Sequence, residues 1–279
     1  MASAARHMVL IHGAWQGSWA FEAWMPMLQA AGWQVHAVDL PGNGIRQDAW
    51  PPAQPVRVDL DAYVAHVAEL LAGLDGPAVV LGHSGGGITA SQVAEHCPER
   101  VLALVYLAGM MLPDGMDFGA LIEACRREQP GFVYAGIGPH LEWDAMHQAS
   151  RVPPAAAGRI FLHDCTPEQA AAATRRLCWQ PEGGRAMRCR LTAQRYGRVP
   201  RIYVECLRDR SVLHELQRCM QNLSPGALRI TLDCGHVPQL ACPALLTERL
   251  LPALAQMLPS GAGTDLAVAS GRTGLLPLA

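Results

Sequence analysis

Short apolar runs recur along this chain, and most are followed by a stretch with apolar residues at helical spacing. Met8–Ile11, Trp33–Val38, Ala78–Leu81, Val101–Leu107, Arg201–Cys206 and Leu228–Leu232 are the runs. Their length and β-branched content predict strands, and the near-continuous run Val101–Leu107 suits a strand covered on both faces. Between them lie predicted helices at Phe21–Ala31, Asp59–Leu74, Ile88–Cys97, Val212–Asn222 and Pro243–Met257. Gly32 stops the first, and Leu60, Tyr63, Val67 and Leu70 line one face of the second. Strand and helix alternate, so an α/β fold follows: a doubly wound, mainly parallel sheet of about six strands.

The alternation breaks between Met110 and Tyr196. This stretch offers helical fragments at Phe118–Glu128, Trp143–Ala149, Pro154–Leu162 and Pro167–Leu177 and no strand of similar quality. The expected organisation is a core over 1–109 and 197–258, a helical lid insertion over 110–196, and a flexible tail over 259–279. The tail is rich in Gly, Ala and Ser without periodicity, and the proline-rich piece Trp50–Pro55 reads as surface loop. No internal repeat is seen.

With 279 residues, half of them apolar and 16% charged, the chain can bury one large core. A formal charge of −2 gives no electrostatic case for nucleic acid or an anionic membrane. The nine cysteines are odd in number and have neither C-x-x-C pairing nor zinc-finger spacing. They read as reduced, buried small hydrophobes. With no signal peptide before the first strand and no bilayer-length apolar run, a cytoplasmic protein is expected.

The chemistry gathers around Gly82-His83-Ser84-Gly85-Gly86, a G-x-S-x-G pattern between a predicted strand and a predicted helix. On such a turn Ser84 stands clear of the sheet as a nucleophile, and the Gly85 N–H faces a developing oxyanion. A serine hydroxyl needs an oriented base, and partners in this fold follow in the order acid, then histidine. Asp209 follows the strand ending at Cys206, and His236, preceded by Gly235, follows the strand ending at Leu232. Both sit at carboxyl ends of strands, where ligands of open α/β sheets bind. Asp209 could instead pair as a solvated carboxylate with Arg208 or Arg210. Asp233 is too near His236 in sequence, Glu205 lies within a strand, and His83 reads as structural. The second oxyanion donor is expected from the loop after the first strand, at the N–H of Ala14, where the alternative is a loop that only packs Trp15 and Trp19.

These residues resemble a family. His12-Gly13-Ala14-Trp15-x-Gly17-x-Trp19, Asp39-Leu40-Pro41-Gly42-x-Gly44, Gly82-His83-Ser84-x-Gly86-Gly87 and Leu104-Val105-Tyr106-Leu107 are similar to the α/β-hydrolase superfamily. Within it they resemble the small esterases akin to plant methylesterases, hydroxynitrile lyases and bacterial pyrethroid-hydrolase-type carboxylesterases. Pro113-Asp114-Gly115 and Cys165-Thr166-Pro167-Glu168 fit the same group, and the likeness spans residues 8 to 257. It implies a Ser84–His236–Asp209 triad with Ala14 and Gly85 N–H groups as the oxyanion hole. Departures are Gln16 and Asn43 where relatives often carry histidine, Gly85 where a bulkier residue is usual, and Val237 after His236. The lyases of the group use lysine at that last position, so lyase chemistry is disfavoured. Gln16 and Asn43 are expected to reshape the entrance.

The expected activity is serine carboxylesterase: hydrolysis of a small apolar or aromatic ester through an acyl-enzyme, with no metal or organic cofactor. Trp15, Met110, Phe118, Trp143, Phe161, Trp179 and Val237 are the candidate substrate-contacting residues, with Met111, Phe132 and Leu162 as further apolar side chains of the lid. A thioesterase, lactonase or amidase would use the same triad. A small-molecule receptor is the alternative outside catalysis, and the presence of all three triad residues counts against it. Homodimerisation through the lid or a sheet edge stays open.

Overall fold

The computed structural model describes residues 6–44, 58–134 and 136–258; the loop Trp50–Pro55 and the tail 259–279 lie outside these described residues. Six strands form one parallel sheet: β1 Arg6–Ile11, β2 Trp33–Val38, β3 Ala78–His83, β4 Val101–Leu107, β5 Arg201–Cys206 and β6 Leu228–Leu232. Their spatial order is β2-β1-β3-β4-β5-β6. The chain therefore winds one way from β1 to β2, then reverses to place β3 on the other side of β1. That reversal opens a crevice at the carboxyl ends of β1 and β3.

Alternation along each strand splits the core in two. Val9, Ile11, Val80, Leu104, Tyr106 and Tyr203 face one side, where α2 (Leu60–Ala72), α3 (Gly86–His96) and α6 (His214–Leu223) cover them. Met8, Leu10, Val79, Leu81, Val105 and Val204 face the other, under α1 (Met25–Ala30) and α7 (Pro243–Met257). Asp59 caps α2 by accepting from the Ala62 N–H. The first predicted helix is shorter than its periodicity suggests. Ser18–Phe21 is a 3-10 turn and α1 begins only at Met25, with Pro26 in its first turn where a missing N–H costs nothing.

Between β4 and β5 lie α4 (Phe118–Glu128), as expected, and α5 (Pro167–Thr174), which Thr166 and Gln169 start with a reciprocal capping box. The expected helix over Trp143–Ala149 is instead a hairpin. Glu142–Trp143 pairs antiparallel with Ala149–Arg151, which pairs in turn with Gln180–Pro181. Asp144 explains the difference: its Oδ1 accepts from the Gln148 and Ala149 N–H groups at 2.6 and 3.1 Å, tying a turn that competes with a helix. The predicted helix Pro154–Leu162 is α only to Ala156 and continues as a π-helical turn, Ala157–Phe161. All nine cysteines are free thiols. Among the described residues, no helix is long and apolar enough to cross a membrane.

Candidate active site

The elbow after β3 is built from two glycines that leave no room for a side chain. A Cβ on Gly82 would lie 2.5 Å from the Gly86 carbonyl, and one on Gly86 would lie 2.5 Å from the His12 carbonyl. α3 therefore starts directly against the ends of β1 and β3. Ser84 takes the strain of the bend, with a left-handed φ of +52° that non-glycine residues rarely adopt. Backbone bonds hold it there: Ser84 N–H donates to Leu107 O, and Ser84 O accepts from Gly87 and Met110 N–H groups at 3.0 and 2.8 Å. Gly85 does not need to be glycine for space, since a Cβ there would come no closer than 3.8 Å to the Ala14 nitrogen. That same distance puts the Ala14 N–H beside the start of α3.

Asp209 and His236 arrive on the loops after β5 and β6. His236 Nδ1 and Asp209 Oδ2 are 2.7 Å apart, with both side chains buried. Asp209 neither pairs with Arg208 nor with Arg210. Arg208 pairs with Asp233, and Arg210 donates to the Arg159 carbonyl. The Asp209 Oδ1 accepts from Ser211 and Val212 N–H groups at 2.7 and 3.0 Å, and Oδ2 also accepts from Gln217 Nε2 at 3.2 Å. A carboxylate so bonded is fixed in direction and suited to receive an imidazole N–H. With Nδ1 turned to Asp209, Nε2 of His236 is left outside that bond.

His83 lies behind the serine as a buried linker. Its ring spans Gln16 Oε1 at 3.1 Å and the His236 carbonyl at 2.8 Å. Burial, and then the neighbouring His236, hold its pKa well below the usual histidine range, so it stays neutral. His12 is likewise depressed by burial; its Nδ1 sits 2.8 Å from the Gly13 carbonyl while Nε2 accepts from Leu40 N–H.

A cavity of about 440 Å³ opens over Ser84, within the size range of small-molecule sites. Gly13, Ala14, Trp15, Gly85, Met110 and Phe118 line it with Ser84, and Ile122, Tyr134, Ile137 and Leu141 extend the apolar wall. Four of the sequence candidates are not in this wall. Trp143 lies against His147, rings tilted with centroids 5.5 Å apart, and under Arg185, while Trp179 lies beneath Arg151. Val237 packs into the apolar cluster of Trp15, Trp19 and Phe161. Phe161, carried by the π-helical turn, stacks on the His236 ring at 5.4 Å instead of lining the cavity. Of the further apolar side chains, Met111 and Leu162 are core, and Phe132 packs against the core.

The sequence reading missed a polar wall. Gln180, Tyr63, Asp117, Arg185, Arg188 and Ser211 all contribute to the cavity. Asp117 also caps α4 and pairs with Arg188, and the capping pattern before Phe118 was the only local signal for it. Nor do Gln16 and Asn43 stand at the entrance. Both are buried: Gln16 meets His83, and Asn43 bonds Gln180 and Tyr63. Among the described residues, no group of three or more His, Cys, Asp or Glu side chains could hold a metal ion.

The parallel sheet, the strained serine elbow and the paired loops after β5 and β6 define a hydrolase architecture. The chain belongs to the alpha/beta hydrolase family, whose model matches residues 8–249. It is 28% identical over 267 residues to a pyrethroid hydrolase of Sphingobium wenxiniae, an alignment covering 87% of this chain and 85% of that one. It is 26% identical over 258 residues to methylesterase 9 of Arabidopsis thaliana, covering 88% of this chain and 97% of the relative. A crystal structure of a pyrethroid hydrolase superposes with a TM-score of 0.76 at 25% identity, over 90% of this chain and 96% of that one.

Proposed function

We propose that this carboxylic ester hydrolase uses Ser84 as its nucleophile, with His236 as base and Asp209 as the residue that orients it. The observation carrying this reading is the 2.7 Å bond from His236 Nδ1 to Asp209, which leaves Nε2 available as proton acceptor, together with the strained φ of +52° that holds Ser84 on the elbow after β3. Ser84 Oγ attacks the ester carbonyl carbon as its proton passes to His236 Nε2. The carbonyl oxygen becomes an anion and accepts from the Gly85 and Ala14 N–H groups. His236 then returns the proton to the departing alcohol, leaving an acyl group on Ser84. Water, deprotonated by the same histidine, attacks the acyl carbon; the bond from that carbon to Ser84 Oγ breaks, His236 returns the proton to Oγ, and the acid leaves.

The substrate we propose is a small ester with an apolar or aromatic acyl or alcohol part. The walls formed by Trp15, Met110, Phe118, Ile122, Ile137 and Leu141 support it, as do a pyrethroid hydrolase and a methylesterase among the relatives. In this reading residues 110–196, which supply much of that wall, act as a lid over the core. The test is hydrolysis of short aryl and methyl esters by the protein and by Ser84→Ala. Activity is expected in the parent, and a loss of roughly 10⁴-fold or more in the variant with its circular dichroism unchanged. Equal activity in both proteins would remove Ser84 from the mechanism.

A further inference from the structure

Trp15 follows the oxyanion-loop residue Ala14 and has a left-handed φ of +64°, an unfavourable conformation for a bulky side chain. Something must hold it. Among the described residues three hydrogen bonds reach it, each from the segment between β4 and β5. Its N–H donates to Gln180 Oε1 at 3.2 Å, its indole Nε1–H donates to Ser150 Oγ at 3.2 Å, and its carbonyl accepts from Cys178 N–H at 2.9 Å. Ser150 and Gln180 face each other across neighbouring strands of the small antiparallel sheet.

Gln180 is 1% exposed, and each of its polar atoms is used twice. Oε1 accepts from Trp15 N–H and from Asn43 Nδ2 at 2.9 Å, while Nε2 donates to Tyr63 OH at 3.2 Å and Pro181 O at 3.0 Å. Tyr63 OH closes the ring by donating to Asn43 Oδ1 at 2.8 Å. The amide cannot rotate without breaking several buried bonds, so its oxygen is a fixed acceptor for Trp15. On the other side of Trp15, the β1 end presses on the elbow: a Cβ on Gly13 would lie 2.8 Å from Ser84 Cβ. The direction of the Ala14 N–H is thus set between a packed contact at Gly13 and a pinned residue at Trp15.

We propose that Gln180, locked by Asn43 and Tyr63, is a positioning residue that aims the Ala14 N–H by holding Trp15 in its strained conformation. The proposal rests on the reading of Ala14 as an oxyanion donor. Its consequence is that the segment between β4 and β5 helps to complete the transition-state site as well as to wall the cavity. Because the donor matters most once the carbonyl oxygen is charged, releasing it should slow chemistry more than it weakens ground-state binding in the cavity that Trp15 and Gln180 line.

The experiment compares the parent with Gln180→Met, which keeps length and apolar bulk but has no acceptor for the Trp15 N–H. It reads kcat and KM on an aryl ester, inhibition by an aryl boronic acid that becomes tetrahedral on serine, inhibition by the planar acid product, and exchange of the Trp15 amide hydrogen. Expected are a fall in kcat of about ten- to a hundredfold, less than removal of an oxyanion donor outright, and a parallel loss of boronate affinity. KM and product affinity, which report Gln180 and Trp15 as cavity wall, should change several-fold less than kcat, and the Trp15 amide should exchange faster while core amides such as Val80 keep their protection. Ser150→Ala, a milder release of the same residue, should move the same readouts in the same direction and stands in if Gln180→Met does not fold. Unchanged kcat and boronate affinity with a freed Trp15 amide would overturn the proposal. So would a loss confined to KM, or a Trp15 amide that stays protected. Failure of the nucleophile reading shows separately, as full activity in Ser84→Ala, and the amide exchange still reports whether Gln180 holds Trp15.

Discussion

At the scale of single residues, the elbow sets the tightest limits. Gly86 lies against two carbonyls at the end of β1, at 2.5 and 2.6 Å from where a Cβ would sit, and neither backbone atom can move without shifting the strand. Gly86→Ala is therefore expected to destabilise the fold by about 1–3 kcal/mol through overpacking, read as a lower urea midpoint with unchanged m-value. Gly85→Ala meets only a 3.8 Å contact and should leave the midpoint within about 0.5 kcal/mol, so the pair separates steric need from motif membership. Asp209→Asn keeps the shape of the carboxyl but offers His236 Nδ1 an amide in place of a carboxylate. A fall in kcat of about 10³- to 10⁴-fold is expected, with a stability loss of about 1–3 kcal/mol in urea unfolding because the amide NH2 would also meet the Gln217 Nε2 donor. At this scale much was legible, because glycines flanking a serine and a glycine before a histidine mark backbone positions that side chains cannot share. Gln180 was not legible. Its role depends on Asn43, Tyr63 and Trp15, which lie 137, 117 and 165 residues away.

At the scale of elements, the segment between β4 and β5 grips both loops that carry Asp209 and His236. Asp164 Oδ2 accepts from the Gly235 N–H, and His163 Nε2 lies 2.9 Å from the Arg208 carbonyl. These contacts touch the residues just before His236 and Asp209. Asp164→Ala leaves a poorly solvated N–H without its partner. We expect a loss of about 1–3 kcal/mol in urea unfolding and a kcat lowered by roughly tenfold. A stability loss with unchanged kcat would show that the grip serves folding alone. The helices Phe118–Glu128 and Pro243–Met257 match their sequence periodicity residue for residue. Trp143–Ala149 does not, because Asp144 and pairing to Gln180–Pro181 favour a hairpin that propensity cannot foresee. The π-helical turn that places Phe161 on His236 left no mark in the sequence pattern either.

At the scale of the whole molecule, buried neutral histidines link stability to pH. His12 and His83 are both depressed, by burial first, from an unfolded value of 6.5. The unfolded chain thus binds more protons than the folded one as pH drops below that value. Stability is full above about pH 7 and declines as pH falls through 6.5, by up to about 1.4 kcal/mol per pH unit for each group. Urea unfolding at pH 7.5, 6.5 and 5.5 should show the decline, and His83→Gln should make it shallower. A flat profile would mean that these rings are protonated in the fold.

By itself the sequence determined the order of strands and helices, the parallel sheet, the elbow around Ser84 and the strand ends that hold Asp209 and His236. Those features follow from local rules: alternation, helical spacing and glycines where a Cβ has no room. Tertiary structure decided the rest. It turned Trp143 and Trp179 toward arginines, buried Val237, moved Phe161 onto His236, and joined Asn43, Tyr63 and Gln180 into one buried ring of hydrogen bonds. Such choices depend on which distant groups share a low-dielectric interior, where a polar atom must find a partner and an aromatic ring goes wherever packing is best.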